Sequence, residues 1–173
     1  MKFTNEILIG FIIVLFSGCA SSTLVTSQKP LPSVYVDANE THDKKTSVSV
    51  SLFVLNNYTD TPRAGLRAAS IVEGILLAKG YNVTSHMSDK APSMKEAQKI
   101  AQEDGSKYYM YGGVSEWRYK TGIDGEPAVS ISLALYTTKN ANLAWSATGA
   151  DSSWGNASIG TTAQKLLLEM MQE

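Results

Sequence analysis

The chain has one cysteine, two histidines and almost no net charge, and these scarcities exclude several kinds of protein. Its 15 Lys and Arg residues against 16 Asp and Glu residues give a formal net charge of -1. Such a balance predicts neither nucleic acid nor an anionic membrane surface as a general partner. The lone Cys19 cannot form an internal disulfide. His42 and His86 have no carboxylate or cysteine at metal-ligand spacing, so we expect no metal site.

Motifs for nucleophilic and phosphate chemistry are missing as well. The sequence contains no G-x-S-x-G elbow, no G-x-G-x-x-G and no Gly-Lys-Thr after a strand. Asp124 and Glu126 could form a carboxylate pair for acid-base work, but they lie in the glycine-rich segment 122–127, which is typical of a turn. We therefore predict no enzyme and no cofactor.

The longest apolar run lies at the N-terminus. Residues 7–16 (ILIGFIIVLF) are too short a run to span a hydrocarbon core of about 30 Å as a helix and are typical of a signal peptide. The following FSGC resembles the lipobox of bacterial lipoproteins, which is cleaved before the cysteine, here Cys19, whose thiol then receives palmitate-type acyl chains. An ordinary secreted cleavage site with an incidental cysteine is the alternative. Ala20, in place of aspartate, implies sorting to the outer membrane by this resemblance. Two or three acyl chains anchor stably, since each buried methylene contributes about 0.8 kcal/mol.

The composition divides the chain into three parts. We predict a lipoprotein signal peptide at 1–18, a lipidated N-terminus with a flexible tether at 19–46, and a mixed α/β periplasmic domain at 47–173. The tether is polar and proline-interrupted, and only residues 34–36 (VYV) could add a short edge strand.

The domain begins with a strand and a helix. Apolar residues alternate from Val48 to Val54, which is typical of a strand with one buried face. Thr61 followed by Pro62 predicts a capped helix start, and apolar residues at 3.6-residue spacing continue the helix to a cap at Gly80.

A second strand and helix follow. Residues 81–85 can form a short strand, and 93–96 (SMKE) have the form of a capping box that opens a helix. Gly105 closes this helix.

An aromatic-rich strand is predicted from Lys107 to Lys120. Strict alternation groups four aromatic residues on one side, namely Tyr109, Tyr111, Trp117 and Tyr119. We expect this row to be core under a helix, with a subunit interface and a carbohydrate platform as alternatives. The pair 112–113 (GG) predicts a bulge or a close backbone approach.

Two strands joined by a hairpin turn at 138–142 and a closing helix complete the domain. The first of these strands turns four residues inward, Val129, Ile131, Leu133 and Leu135, and the helix carries its apolar stripe between residues 159 and 170. The element order β-α-β-α-β-β-β-α requires a mixed sheet, because helical crossovers give parallel neighbours and hairpins give antiparallel ones. We predict a single α/β (α+β) domain with one mixed sheet and about three helices.

Three segments together resemble one family. They are NNYTDTPRAGLRA at 56–68, EWRYKTGIDGEPAV at 116–129 and WSATGADSSWGNAS at 145–158. In this order and spacing, and with the lipobox, they resemble the PelC family, the outer-membrane lipoproteins of the Pel exopolysaccharide export machinery. The resemblance runs from about Val48 to the C-terminus.

This resemblance implies a function. It implies a non-catalytic domain similar to the N-terminal domain of TolB and to the curli secretion lipoprotein. Such subunits form a dodecamer-type ring under the outer membrane and work with PelB, a porin-and-repeat protein. The ring's acidic periplasmic side is thought to guide a cationic, partly deacetylated amino-sugar polymer to the pore, during export of the biofilm matrix.

Candidate site residues follow from charge and from the resemblance. Five charged residues are candidates for the subunit interface or for polymer guiding, namely Glu116, Arg118, Asp124, Glu126 and Asp151. Trp154, taken alone, fits a loop tryptophan folded over the core. Lipidation places the domain beside a bilayer, where an indole favours the interface. In the family the equivalent tryptophan is read as membrane-embedded, so we predict that Trp154 contacts the membrane.

Two other functions stay open at this point. One is a periplasmic adaptor that activates an envelope enzyme or serves another secretion channel, because this type of fold could serve either. The other is a polysaccharide-modifying enzyme that uses Asp124 and Glu126.

Overall fold

The computed structural model describes residues 23–28, 30–32, 48–121, 125–153 and 157–172. Of the features discussed above, Cys19, Asp124, Trp154 and the segment 34–36 lie outside the described residues.

The described chain forms one mixed sheet with three helices. In chain order the elements are β1 (Thr23–Gln28), β2 (Ser49–Phe53), β3 (Asn56–Asn57), α1 (Ala64–Ala78), β4 (Asn82–His86), α2 (Met94–Glu103), β5 (Tyr108–Tyr119), β6 (Pro127–Thr137), β7 (Leu143–Ser152) and α3 (Ile159–Met170). The strands are ordered β1-β7-β6-β5-β2-β4, and β3 continues the line of β2 beside β5. Pairs between β2, β4 and β5 are parallel, and those from β5 through β6 and β7 to β1 are antiparallel. The predicted α/β (α+β) domain with a mixed sheet and three helices is confirmed.

Strand β1 corrects part of the predicted tether. It pairs antiparallel with β7, from Thr23 opposite Asp151 to Gln28 opposite Ser146. Just beyond it, Leu31 is buried in the core. The sequence suggested a tether because these residues are mostly polar, but an edge strand is held mainly by backbone hydrogen bonds, which leave little trace in hydropathy.

The helices cover the two faces of the sheet unequally. Helices α1 and α3 pack on one face and enclose the main core together with the inward residues of β2 and β5–β7. Helix α2 packs on the other face over a small cluster, Phe53, Ala97, Ala101 and Tyr109. Among the described elements α2 contacts only β2 and β5, so the β6, β7 and β1 part of that face has no described helix over it. We call this part the open face.

The predicted aromatic row does not share one side. The register of β5 against β6 shifts between Val114 and Glu116, which leaves Ser115 as an extra residue. This bulge reverses the alternation, so Trp117 packs in the main core while Tyr109 lies under α2. The expectation of core is therefore right for these two residues, and the single row is wrong. Tyr119 is 52% exposed.

The glycine pair in β5 serves close approach rather than the bulge. A Cβ on Gly112 would lie 2.3 Å from the carbonyl oxygen of Ser132, and one on Gly113 would lie 2.6 Å from Cε2 of Tyr58. Neither position has room for a side chain without movement. The second of the two alternatives predicted for this pair is confirmed.

Helix ends follow the sequence at three of the four predicted caps. Gly80 and Gly105 adopt φ of 87° and 69° just after α1 and α2, as glycine C-caps require. Ser93 and Glu96 form the predicted capping box, and the hydrogen bond from the Ser93 backbone N–H lowers the pKa of Glu96. The predicted N-cap at Thr61 is wrong. The hydroxyl of Thr61 donates to the carbonyl oxygen of Trp117 at 2.5 Å, and α1 begins only at residue 64.

The later predictions hold. All four inward residues of β6 are buried, the hairpin turn joins β6 to β7 at residues 138–142, and α3 buries its apolar stripe. None of the described helices combines the length and the apolar character needed to cross a membrane.

Candidate functional site

Glu116 and Arg118 lie side by side on the outer side of β5. Side chains two residues apart in a strand project from the same face, and the bulge at Ser115 turns these two away from the main core. The guanidinium Nε of Arg118 donates to Oε1 of Glu116 at 2.9 Å. In the described chain Arg118 thus has an intramolecular partner, Glu116, rather than Glu126.

Glu126 lies at the base of the connection between β5 and β6. Its carboxylate is 3.6 Å from Nζ of Lys120, and its carbonyl oxygen accepts from the Lys120 backbone N–H at 2.7 Å. These contacts close the connection that contains Asp124. The side chains of Lys120 and Glu126 are partly exposed, so this ion pair contributes little stability.

Asp151 does not belong to this surface. Its side chain is fully buried, because the alternation of β7 turns it inward together with Trp145 and Ala147. The ammonium of Lys165 is 3.7 Å away, and neither carboxylate oxygen has a hydrogen-bond partner among the described residues. The prediction that Asp151 offers surface charge is therefore wrong. The burial of Asp151 could not be predicted from the sequence, because Asp151 lies near a polar loop, where acidic residues are usually exposed.

A small recess brings Glu116 and Arg118 together with residues that sequence reasoning missed. We call it the acidic recess. It has a volume of about 370 Å³ and is lined by Tyr58, Thr59, Asp60, Thr61, Ser115, Glu116, Trp117, Arg118 and Ser130. Its formal charge is negative, because Asp60 and Glu116 face a single cation, Arg118. The signal available in the sequence was the polar run 57–61 directly after a strand, with one tyrosine inside it.

Tyr58 is the most exposed aromatic side chain of the described chain. The residue is 72% exposed, yet its backbone and its ring both contact β5. Its backbone N–H donates to the carbonyl oxygen of Val114 at 2.9 Å, and its ring lies against Gly113. The loop is braced by Asn57, which accepts from the backbone N–H and the hydroxyl of Thr59 and donates to the carbonyl oxygen of Thr61.

A second recess lies on the other side of Tyr58. We call it the hydroxyl recess, because seven of its side chains carry hydroxyl groups, namely Thr26, Tyr58, Tyr111, Ser132, Tyr136, Ser146 and Thr148. It has a volume of about 510 Å³ and occupies the open face of the sheet. Six of these hydroxyls come from four strands and the seventh from the loop that carries Tyr58, and all of them can both donate and accept hydrogen bonds.

One cluster of the described residues brings together a serine, a histidine and a carboxylate. Ser51 and His86 both contact the same carboxylate oxygen of Asp104, at 2.5 and 2.8 Å. The serine is buried and is not paired with the histidine, so this cluster lacks the bond between nucleophile and base that acyl transfer requires. It links β2 and β4 to the C-terminal end of α2. Within the described ranges no three His, Cys, Asp or Glu side chains converge as a metal site requires.

Comparison with solved structures places the fold. The chain superimposes on one subunit of a PelC dodecamer from Paraburkholderia phytofirmans with a TM-score of 0.71 and 29% identity, and the match covers 86% of this chain and 94% of that one. A single-residue variant of that protein, also a dodecamer, gives 0.69 and 30% identity, with 85% and 95% covered. Lipoprotein GNA1162 from Neisseria meningitidis shares the fold at a TM-score of 0.58 and 18% identity, with 70% and 94% covered.

Searches of family models and of curated protein sequences give no match. The assignment therefore rests on the two PelC structures, whose likeness to this chain extends over nearly their whole length at 29–30% identity. The chain belongs to the PelC family.

Proposed function

We propose that this protein is a non-catalytic outer-membrane lipoprotein subunit of a Pel-type polysaccharide secretion complex. In this proposal its copies form a ring that guides a cationic exopolysaccharide to a PelB-like porin. The observation that carries the proposal is the likeness to PelC, whose two solved structures are dodecamers.

The pairing of β1 with β7 supports the proposal that one end of the sheet faces the membrane. Because β1 and β7 are antiparallel with Thr23 opposite Asp151, the chain before β1 and the chain after β7 leave the sheet at the same end. Cys19 precedes Thr23 by only four residues, which reach about 14 Å at most. Trp154 follows Asp151 by three. The described residues that lead to the proposed lipid anchor and to the proposed membrane-contacting indole, Thr23 and Asp151, are therefore paired at one end of the sheet.

The acidic residues belong to this end too. Ala128 lies opposite Ser152, and Pro127 opposite Tyr119, so the connection with Glu126 points the same way as the chain beyond β7. We propose that Glu126, Asp124 and Glu116 lie near the exit of the ring toward the porin, which differs from the acidic periplasmic side that the family resemblance implies. Glu116 and Glu126 each have a cationic partner, Arg118 and Lys120, so the net negative charge that a ring would repeat at this exit comes from Asp124.

The proposed chain organisation is modified by β1. We retain a signal peptide at 1–18, lipidation at Cys19 and a periplasmic domain at 47–173, with β1 as a part of its sheet. The tether before the sheet is then only residues 19–22, so the domain is held close to the inner leaflet of the outer membrane.

Deletion of the gene tests the function directly. We expect loss of secreted cationic polysaccharide, with restoration by the wild-type gene but not by a Cys19→Ser variant, which cannot be acylated. Native mass spectrometry of the detergent-solubilised protein should give a ring. Normal secretion in the deletion strain would refute the proposal, and a strictly monomeric protein at high concentration would favour the adaptor role instead.

A further inference from the structure

The exposure of Tyr58 is unusual for an aromatic residue held so firmly. Buried tyrosines are placed by core packing, and exposed ones usually lie on loops without defined partners. Tyr58 is 72% exposed, but its ring rests on Gly113, where any side chain would displace it, and its backbone is bonded to β5. The fold thus ties the backbone of Tyr58 to β5 and sets the Cδ2–Cε2 edge of its ring beside Gly113, while most of the residue is exposed to solvent.

The two recesses meet at this ring. Tyr58 lines both the acidic recess and the hydroxyl recess. Along β5 the hydroxyl recess is bounded by residues 111–113 and the acidic recess by residues 115–118. At about 3.4 Å per residue these eight residues extend over roughly 24 Å. The two recesses thus follow one another along about 24 Å of β5, with the Tyr58 side chain between them. We refer to the two recesses together with Tyr58 as the trough.

The chemistry of the trough matches that of an amino sugar. Hydroxyl groups on the open face can exchange hydrogen bonds with sugar hydroxyls, and an aromatic ring offers its face to the apolar side of a pyranose. Asp60 is exposed, and no ion pair of its carboxylate occurs among the described residues, so it can accept an ammonium group. The negative end of the trough lies toward the proposed membrane-facing end.

We propose that the trough centred on Tyr58 is a binding groove for a segment of partly deacetylated amino-sugar polymer. This inference rests on the proposed function, since that function supplies the polymer. In it Tyr58 stacks on a sugar ring, the hydroxyl recess binds neutral sugar units, and Asp60 with Glu116 binds a deacetylated unit. Each copy in a ring would then hold the chain weakly, which permits it to move on.

The test uses the lipidated protein in detergent and isothermal titration calorimetry. The probes are a chitosan hexasaccharide, which carries free amines, and the fully acetylated chitin hexasaccharide. We expect the chitosan probe to bind more tightly at low salt and the difference to shrink at high salt, because exposed charges are screened. Tyr58→Ala should weaken both probes about tenfold, and Tyr58→Trp should retain binding. Asp60→Asn should weaken only the chitosan probe.

A matched control is available at the end of β5. Tyr119 is also an exposed tyrosine but lines neither recess, so Tyr119→Ala should leave both affinities unchanged. Equal affinities of the wild type and Tyr58→Ala would overturn the groove. Loss of the oligomeric ring in the Tyr58→Ala variant would overturn it too, because the Tyr58 side chain would then be a contact between subunits. In both cases the deletion phenotype still reports separately on the proposed function.

Discussion

Replacing Lys165 by methionine tests the buried carboxylate of Asp151. Methionine keeps most of the length of the side chain and removes its charge. Asp151 is fully buried, and Lys165 Nζ lies 3.7 Å from its Oδ2. At an effective dielectric constant of about 20, two unit charges at this distance attract by about 4 to 5 kcal/mol.

The net cost should be smaller than this attraction. Breaking a buried ion pair by removing one partner typically costs about 3 to 5 kcal/mol, because the other charge stays buried without compensation. The side chain of Lys165 is 45% exposed, so water already screens part of the attraction. We expect Lys165→Met to lower the free energy of unfolding by about 2 kcal/mol, which corresponds to a fall in Tm of roughly 8 °C for a domain of this size.

Scanning calorimetry at one fixed protein concentration measures the effect, since a ring makes Tm depend on concentration. The control is Lys99→Met, which removes a lysine 3.9 Å from Glu103 in a pair with both side chains largely exposed. That change should alter stability by less than about 0.5 kcal/mol. Double replacement of Asp151 by leucine and Lys165 by methionine should recover most of the loss. If Lys165→Met were as mild as the control, the ion pair would not stabilise the domain and the reasoning would fail.

Three further predictions concern the surface. Trp154→Ala should reduce polysaccharide export while leaving Tm unchanged, because we propose that the indole contacts the membrane; a large drop in Tm would assign it to the core instead. Glu96→Gln should flatten the acid limb of the stability curve. The folded-state pKa of Glu96 is lowered from 4.5 by its bond to Ser93, so its contribution is present above pH 4.5 and is lost as pH falls through the folded pKa. Urea titrations between pH 3 and 6 would give the free energy of unfolding at each pH. If that free energy had the same pH dependence in the wild type and in Glu96→Gln, the prediction would be wrong. Arg118→Ala should raise the affinity for the chitosan hexasaccharide severalfold at low salt, because Glu116 loses its partner. Unchanged affinity in calorimetry would exclude Glu116 from the groove.

Much of the fold could be predicted because its signals are local. The capping box at Ser93 and the glycine caps at Gly80 and Gly105 satisfy backbone groups within one turn, so a few residues suffice to specify them. The inward residues of β6 also follow strict alternation, since one side of that strand meets helices and the other does not.

Features that depend on distant contacts could not be predicted. The bulge at Ser115 reverses which side Trp117 faces, and only the register against β6 reveals it. Thr61 looked like a helix cap, but its hydroxyl bonds a carbonyl group on β5, which adjoins it only in the folded sheet. Similarly, β1 depends on the free edge of β7 rather than on its own hydropathy.

Some residues of the candidate site could be predicted from the sequence and others could not. Glu116, Arg118 and Glu126 were found from charge and family resemblance, and the structure leaves them at the surface. Tyr58 and Asp60 were missed, because an exposed tyrosine in a polar loop carries no periodic signal. Its significance depends on Gly113, which comes beside it through the parallel pairing of β3 with β5.

The pairing of β1 with β7 has a consequence for the order of events during export from the cytoplasm. Thr23 and Asp151 are paired although about 130 residues separate them, so this edge of the sheet cannot form until almost the whole chain has been translocated. Until then β1 has no partner at this edge. Under the signal peptide and the lipidation of Cys19 that we propose, the acylating enzyme and the signal peptidase would act before β1 is paired with β7. Pairing of β1 would then be the step that brings the folded sheet next to the proposed anchor.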